Sequence, residues 1–132
     1  MPVSNDSYTA VVAISALTAH PFSKSVVIIG LINGAFIVHD FANNKTQEYE
    51  NKLRSEITLL KWLAHGRMLI IADAIGNVLF YGVDPTMPLV LNIITKHHRN
   101  GKVVSVEERV ACTRNYYLNT QLRSEDDDRI FH

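Results

Sequence analysis

The sequence VVIIGLINGAFIVHD at residues 26–40 is followed, 42 positions later, by the similar sequence MLIIADAIGNVLFYG at residues 68–82. Each copy consists of an apolar run, a small residue, a turn glycine (Gly34 or Gly76) and a second apolar run. Apolar and β-branched residues on both sides of a turn glycine favour a β-hairpin, because glycine readily adopts the positive φ that such a turn can need. The sequence therefore predicts two hairpins of the same design.

The repeat extends upstream of each hairpin, where ISALTAHP at residues 14–21 matches LLKWLAHG at residues 59–66. Here the offset is 45 residues, so the second copy lacks three residues in the connection to its hairpin, where a loop tolerates a deletion. His20 and His65 occupy equivalent positions, which predicts a structural role in a turn rather than metal binding. Both faces of this first strand are largely apolar, so we expect both to be covered.

Weaker alternating segments follow the hairpins, at residues 46–53 and 89–95, and predict one outer strand for each copy. Four strands in about 42 to 45 residues match the repeat length of a β-propeller blade. The predicted fold is therefore all-β, with two four-stranded antiparallel blades and the start of a third in a partial or open propeller. The predicted boundaries are 1–54 for the first blade, 55–95 for the second and 96–112 for the start of a further blade, with 113–132 unassigned.

At these positions the sequence resembles WD-repeat proteins, with an apolar strand, AHP or AHG, a second apolar strand, a glycine turn and a strand ending near an aromatic or acidic residue. The Trp-Asp pair of that family is replaced by His39-Asp40 in the first copy and by Tyr81-Gly82 in the second. The resemblance implies a propeller stabilised mainly by packing, in which Trp62 belongs to the core between blades. The structural repeat positions it implies are His20, Gly34, Asp40, Trp62, His65, Gly76 and Tyr81.

Residues 57–106 further resemble the large subunits of the intraflagellar transport A-complex, particularly through Leu59, Leu60, Trp62, the Asp73-x-x-Gly76 turn, Lys96-His97 and Gly101-Lys102. This resemblance implies an interaction scaffold in a transport coat, located in the cytoplasm and at the cilium or flagellum. Its partners would be other proteins, held by blade loops and exposed strand edges. Since a propeller typically has about 4 to 8 blades, we expect the chain to function within a larger chain or an oligomer.

Composition and missing motifs argue against several classes of function. The 13 Lys and Arg balance the 13 Asp and Glu, so no global field attracts nucleic acid or anionic lipid. The longest apolar run, residues 26–38, is too short to cross a bilayer as a helix, which predicts no membrane insertion. No nucleophile elbow, P-loop or dinucleotide-binding glycine motif occurs, and Cys112 is expected to be a small buried hydrophobe. We therefore expect no enzymatic activity, no catalytic residues, no cofactor and no metal.

The basic stretch KHHRNGK at residues 96–102 supplies the candidate partner-binding residues Lys96, His97, His98 and Arg99. We expect this stretch to be a solvated loop between blades. Neighbouring histidines on a strand would point to opposite faces, so the pair could not readily share one metal ion. The cations suit a few phosphates or an acidic peptide, but no aromatic residue interleaves with them to stack on bases, which argues against nucleic acid.

A second interpretation stays open at this stage, because Leu53, Ile57, Leu60 and Ala64 also share one face of a helix, at i, i+4, i+7 and i+11. Residues 51–64 would then form a helix packed on a sheet. The chain would be a small α/β domain of the longin or roadblock kind, which serves trafficking or GTPase regulation. Helix content distinguishes the two interpretations.

Overall fold

The chain folds into three antiparallel sheets in a computed structural model that describes residues 12–50, 52–84, 86–108 and 120–124. The first sheet consists of β1 (Ile14–Ala19), β2 (Val26–Leu31), β3 (Phe36–Asp40) and β4 (Lys45–Tyr49). The second sheet consists of β5 (Ile57–Leu63), β6 (Met68–Asp73), β7 (Asn77–Val83) and β8 (Leu91–His98). The third pairs β9 (Val103–Glu108) with β10 (Thr120–Ser124), and one 3-10 turn at Ala64–Gly66 joins β5 to β6.

The two four-stranded sheets confirm the all-β prediction, and each has its strands in chain order, β1 to β4 and β5 to β8. The α/β interpretation is wrong, because the residues proposed for a helix contain the strand β5. Leu59 and Leu63 belong to one apolar layer, whereas Leu60 belongs to the other. A strand covered on both faces carries apolar residues at nearly every position, and such a run also satisfies the spacing of a helix.

The structure moves one predicted boundary. Strand β8 continues to His98, so the second sheet ends three residues beyond the predicted limit at residue 95. The expectation of a solvated loop is therefore wrong for Lys96, His97 and His98. The start of a further blade corresponds to β9, and β10 lies in the segment left unassigned. Cys112 lies outside the described residues.

The two predicted hairpins form with equivalent registers. Val26 pairs with Asp40 in the first hairpin, and Met68 pairs with Gly82 in the second. The turn glycines have the positive φ that the sequence pattern predicts, +88° at Gly34 and +100° at Gly76. Residues with side chains rarely adopt such values, which explains glycine at both turns.

The apolar core lies in two layers, one on each face of the second sheet. The layer between the first and second sheets contains Val26, Ile28, Phe36, Val38, Leu53, Ile57, Leu69, Ile71, Leu79, Tyr81, Val83 and Leu91. The layer between the second sheet and β9 contains Leu63, Met68, Ile70, Ala72, Val78, Phe80, Val103 and Val106. Successive residues of β6 enter different layers because strand side chains alternate. The second sheet is thus stacked between two neighbours.

The first and second sheets approach each other closely at Ile57. Ser15 Oγ in β1 donates a hydrogen bond of 2.6 Å to the Ile57 carbonyl oxygen. A Cβ on Gly30 would lie 2.6 Å from Cγ2 of Ile57, so only glycine leaves room for β5 at this point. The small residue noted in each hairpin therefore has a packing role in the first one.

The opposite face of the first sheet lacks a neighbour among the described residues. Leu17 is 63% exposed and Ile14 is 59% exposed, although both lie on β1 at the inner edge of the sheet. The expectation that both faces of this strand are covered is wrong for this face. Strict alternation predicts opposite faces for Ile14 and Leu17, but the register of β1 shifts between Ile14 and Ala16 and brings both side chains to this one face. No described element covers them.

Candidate protein-interaction site

The turns at Gly34 and Gly76 define one end of the stacked sheets, which we call the turn end. At this end the chain passes from the outer strand of each sheet to the next sheet. A Cβ on Gly34 would lie 2.5 Å from the Leu53 carbonyl oxygen, and one on Gly76 would overlap that of Arg99. The Arg99 amide also donates to the Gly76 carbonyl oxygen at 2.8 Å. Both connecting segments therefore pack against the glycine turn of the sheet that they leave, so the two repeats share this arrangement.

Asp73 fixes the connection between the sheets, a role that the sequence interpretation missed. Its fully buried carboxylate accepts hydrogen bonds from the Ile75 amide at 3.2 Å and from the Asn77 amide and Nδ2, both at 2.9 Å. It also accepts one from the Arg54 amide at 3.3 Å. The spacing Asp73-x-x-Gly76 was the available signal, but the first copy has Leu31 at the equivalent position. The carboxylate thus holds both the turn and the neighbouring connection.

A cleft of about 570 Å³ opens between the two sheets at the turn end. It is lined by Asn33, Lys52, Leu53, Arg54, Asn77, Val78, Leu79, Lys96 and His97. Three of these side chains are cationic and none is a carboxylate. Leu53 and Leu79 are buried and belong to the core between the two sheets, which forms the apolar floor of the cleft. We call this feature the inter-sheet cleft.

The four candidate partner-binding residues do not form one patch. Lys96 and His97 line the inter-sheet cleft, and the His97 ring also contacts Phe80 edge-on at 5.3 Å between centroids. His98 Nδ1 lies 2.9 Å from Asn77 Oδ1. Strand alternation separates the two histidines, whereas Lys52 and Arg54, which the sequence interpretation did not select, share the cleft with Lys96.

His20 has a structural environment at the opposite end of the sheets. The side chain is 2% exposed, and Nδ1 accepts hydrogen bonds from the amides of Phe22 at 3.1 Å and Ser23 at 2.9 Å. Trp62 meets the ring edge-on at 4.7 Å and packs against the core between the sheets. Burial lowers the pKa of His20 below its usual value, and the Gly66 backbone opposes this shift in part.

His65 does not repeat this environment. It is exposed and lies in the 3-10 turn with φ of +54°. The three-residue deletion in the second copy removes the residues whose amides His20 binds, and the chain instead makes a tighter turn ending at Gly66. His20 and His65 therefore occupy equivalent positions in the repeat but have different environments.

Asp40 and Tyr81 lie at the positions where the Trp-Asp pairs are missing. Asp40 makes hydrogen bonds in a turn, whereas Tyr81 packs in the core. Asp40 accepts hydrogen bonds from Asn43 Nδ2 at 2.7 Å and Ser25 Oγ at 3.0 Å. The bonds from Asn43 and Ser25 lower the pKa of the Asp40 carboxyl group. Tyr81 lies in the core between the sheets, 5.7 Å from the Phe36 ring. Burial, followed by the effect of Tyr49, raises the pKa of Tyr81 to about 12.

Within residues 12–50, 52–84, 86–108 and 120–124, no group of three or more His, Cys, Asp or Glu side chains is arranged to hold a metal ion. Nor does any helix in the described part of the chain have the length and apolar character needed to cross a membrane.

No protein-family profile matches the sequence. Among solved structures, the chain is similar to the β-propeller domain of Cps50 (Swd1) from Myceliophteria thermophila, with a TM-score of 0.58 and 16% identity. The fold is a partial β-propeller. The match covers 74% of this chain but only 31% of the propeller domain. The first and second sheets of this chain are the blades of its partial propeller.

Proposed function

We propose that this chain is a β-propeller segment that serves as a protein-interaction scaffold and is completed by a further blade packed on the first sheet. The observation that carries the proposal is the uncovered apolar face of that sheet. Leu17, Val27, Ile29 and Ile37 lie on this face, as the strand registers place them together. A groove of about 700 Å³ crosses the same face.

The second sheet shows how far the equivalent residues are buried when a neighbouring sheet covers them. By the 42-residue repeat, Val27, Ile29 and Ile37 correspond to Leu69, Ile71 and Leu79. Those counterparts are at most 4% exposed, because the first sheet covers them. A neighbouring blade on the first sheet would bury the equivalent surface, and burial of apolar area is the main driving force of association.

The proposal does not include catalysis. The buried polar side chains of His20 and Asp73 accept hydrogen bonds that support a turn and a connection. Partners are expected to be proteins, recognised by loops at the blade ends and by exposed strand edges. These are the surfaces that stacked blades leave free.

Light scattering on the purified chain tests the scaffold. We expect association through the uncovered face, and we expect Leu17→Asp to reduce the molar mass while the β-rich circular dichroism spectrum is retained. The matched control is Met87→Asp, an exposed apolar residue (56%) in the connection between β7 and β8, which should leave the mass unchanged. A wild-type chain that stays a folded monomer at high concentration would overturn the proposal.

A finer part of the proposal is a role in intraflagellar transport, in the cytoplasm and at the cilium or flagellum. It is supported by the resemblance of residues 57–106 to large A-complex subunits such as intraflagellar transport protein 140. A tagged copy expressed in ciliated cells is expected to co-purify with A-complex subunits. Recovery without them would reject the transport role and leave the scaffold intact.

A further inference from the structure

We propose that the inter-sheet cleft binds an acidic peptide segment of a partner protein. The inference rests on the proposed scaffold function and names the chemistry of the partner at one site. It follows from the charge of the cleft, from the rigidity of its backbone and from the side chains that line it.

The charge of the cleft is local and comes from two distant parts of the sequence. Lys52 and Arg54 belong to the connection between the sheets, and Lys96 belongs to β8. No ion pair joins these three side chains to a carboxylate within the described residues. The chain has no net charge, so an anion would be attracted to this cleft by its own cations rather than by a global field.

The backbone at Arg54 and at Lys96 is held by contacts within the protein. Asp73 holds the Arg54 amide, and the Gly34 turn packs against the Leu53 carbonyl oxygen. Lys96 projects from a strand paired with Leu79 of β7. A partner that binds here need order only the side chains, which lowers the entropic cost of association.

The lining favours a peptide over a nucleic acid. Proteins that bind single-stranded nucleic acid combine cations with aromatic side chains on which bases stack. The cleft has no Phe, Tyr or Trp, and the His97 ring is already in edge contact with Phe80. Carboxylates of an extended peptide need only spaced cations, together with the side-chain amide of Asn33 that also lines the cleft.

Fluorescence anisotropy with a labelled peptide of alternating glutamate and glycine tests the inference on the complete chain. The test variant carries Lys52→Gln, Arg54→Gln and Lys96→Gln, which are exposed positions where the fold should be retained. We expect the peptide to bind about tenfold more weakly to this variant, as three exposed charge pairs of ordinary strength would give. Binding to the wild-type chain should also weaken as salt is added.

The matched control carries Lys24→Gln, Lys45→Gln and Arg67→Gln. These exposed residues lie at the end opposite the turn end, and the charge change is the same. We expect peptide affinity within about twofold of wild type, because these charges lie at the far ends of the strands from the cleft and salt screens exposed charges that are well separated. Equal losses in both variants would overturn the inference, since binding would then depend on net charge alone.

Two further measurements separate the possible failures. An oligothymidine that binds the wild-type chain more tightly than the peptide would overturn the choice of partner. The molar mass of each preparation is measured alongside. A chain that associates as proposed but ignores the peptide rejects the cleft inference alone, whereas a folded monomer that binds the peptide rejects the completed scaffold and keeps the cleft.

Discussion

Replacing Gly76 by alanine should destabilise the chain strongly, because this glycine meets two separate constraints. Its φ of +100° disfavours any side chain, which costs about 1–2 kcal/mol. A Cβ would also overlap the Arg99 carbonyl oxygen and lie 2.7 Å from that of Gly101. Overpacking against backbone that is already hydrogen-bonded costs about 1–3 kcal/mol. The expected loss is therefore about 2–5 kcal/mol, a large share of the 5–15 kcal/mol typical of domain stability.

Urea unfolding followed by Trp62 fluorescence measures this loss at a fixed chain concentration. The matched control is Gly82→Ala, because a Cβ there would lie 3.4 Å from the nearest atom, Cδ1 of Ile94, which is ordinary contact. We expect the control to be neutral or up to about 1 kcal/mol more stable, since alanine lowers the entropy of the unfolded chain. A loss below about 1 kcal/mol for Gly76→Ala, or an equal loss for the control, would refute the account of the turn end.

Tyr49→Phe should cost about 1–2 kcal/mol, because the hydroxyl donates to the Leu89 carbonyl oxygen and accepts from the Leu91 amide, both at 2.8 Å, across the two sheets. Asp73→Ala should cost about 3 kcal/mol in urea unfolding, because it leaves buried amides without their acceptor. When the pH is lowered from about 7.5 to about 5.5, the midpoint temperature of thermal unfolding should fall in the wild-type chain and should fall less in His20→Asn. The amide oxygen of the asparagine can accept the same two hydrogen bonds that His20 accepts.

The sign of the pH effect follows from the lowered pKa of His20. The unfolded chain takes up the proton near the ordinary value of 6.5, whereas the folded chain does so only at lower pH. Stability is therefore complete above pH 6.5 and is lost as the pH falls through the folded pKa. Equal falls in His20→Asn and wild type would contradict this assignment.

The outcomes for Tyr49 and Asp73 have their own controls. Unchanged stability in Tyr49→Phe would contradict a stabilising role for the hydroxyl between the sheets. The control for Asp73→Ala is Asp84→Ala, which removes an exposed carboxylate whose bonds stay within its own turn at Thr86. Asp84→Ala should have little effect, and an equal loss in the two variants would argue against a special role for the buried carboxylate.

The hairpins were predictable because their determinants are local. Alternation of apolar residues identifies a strand, and a turn glycine such as Gly34 identifies the point of reversal. Helix and strand were harder to separate at β5, where both faces are covered and the apolar residues carry no clear period. The boundary at residue 95 was misplaced because β8 is mostly exposed, so its polar end at Lys96–His98 resembles a loop.

The candidate site was predictable only in part. The sequence directs attention to Lys96 because it belongs to a visible basic run, but Lys52 and Arg54 stand among mixed residues with no pattern. Their common cleft exists because the connection between the sheets folds back against the turns at Gly34 and Asp73. Such a meeting depends on contacts between residues far apart in sequence, which periodicity does not encode.

By itself, the sequence determined the two repeated hairpins and the need for glycine at their turns, and it favoured the all-β class that the strand β5 then established. These features depend on alternation and on backbone conformation, which each segment carries locally. Only the tertiary structure decided which faces are covered, how His20 differs from His65 and where the cations converge. Those properties arise when one sheet stacks on the next, because burial and charge proximity depend on which surfaces meet in space.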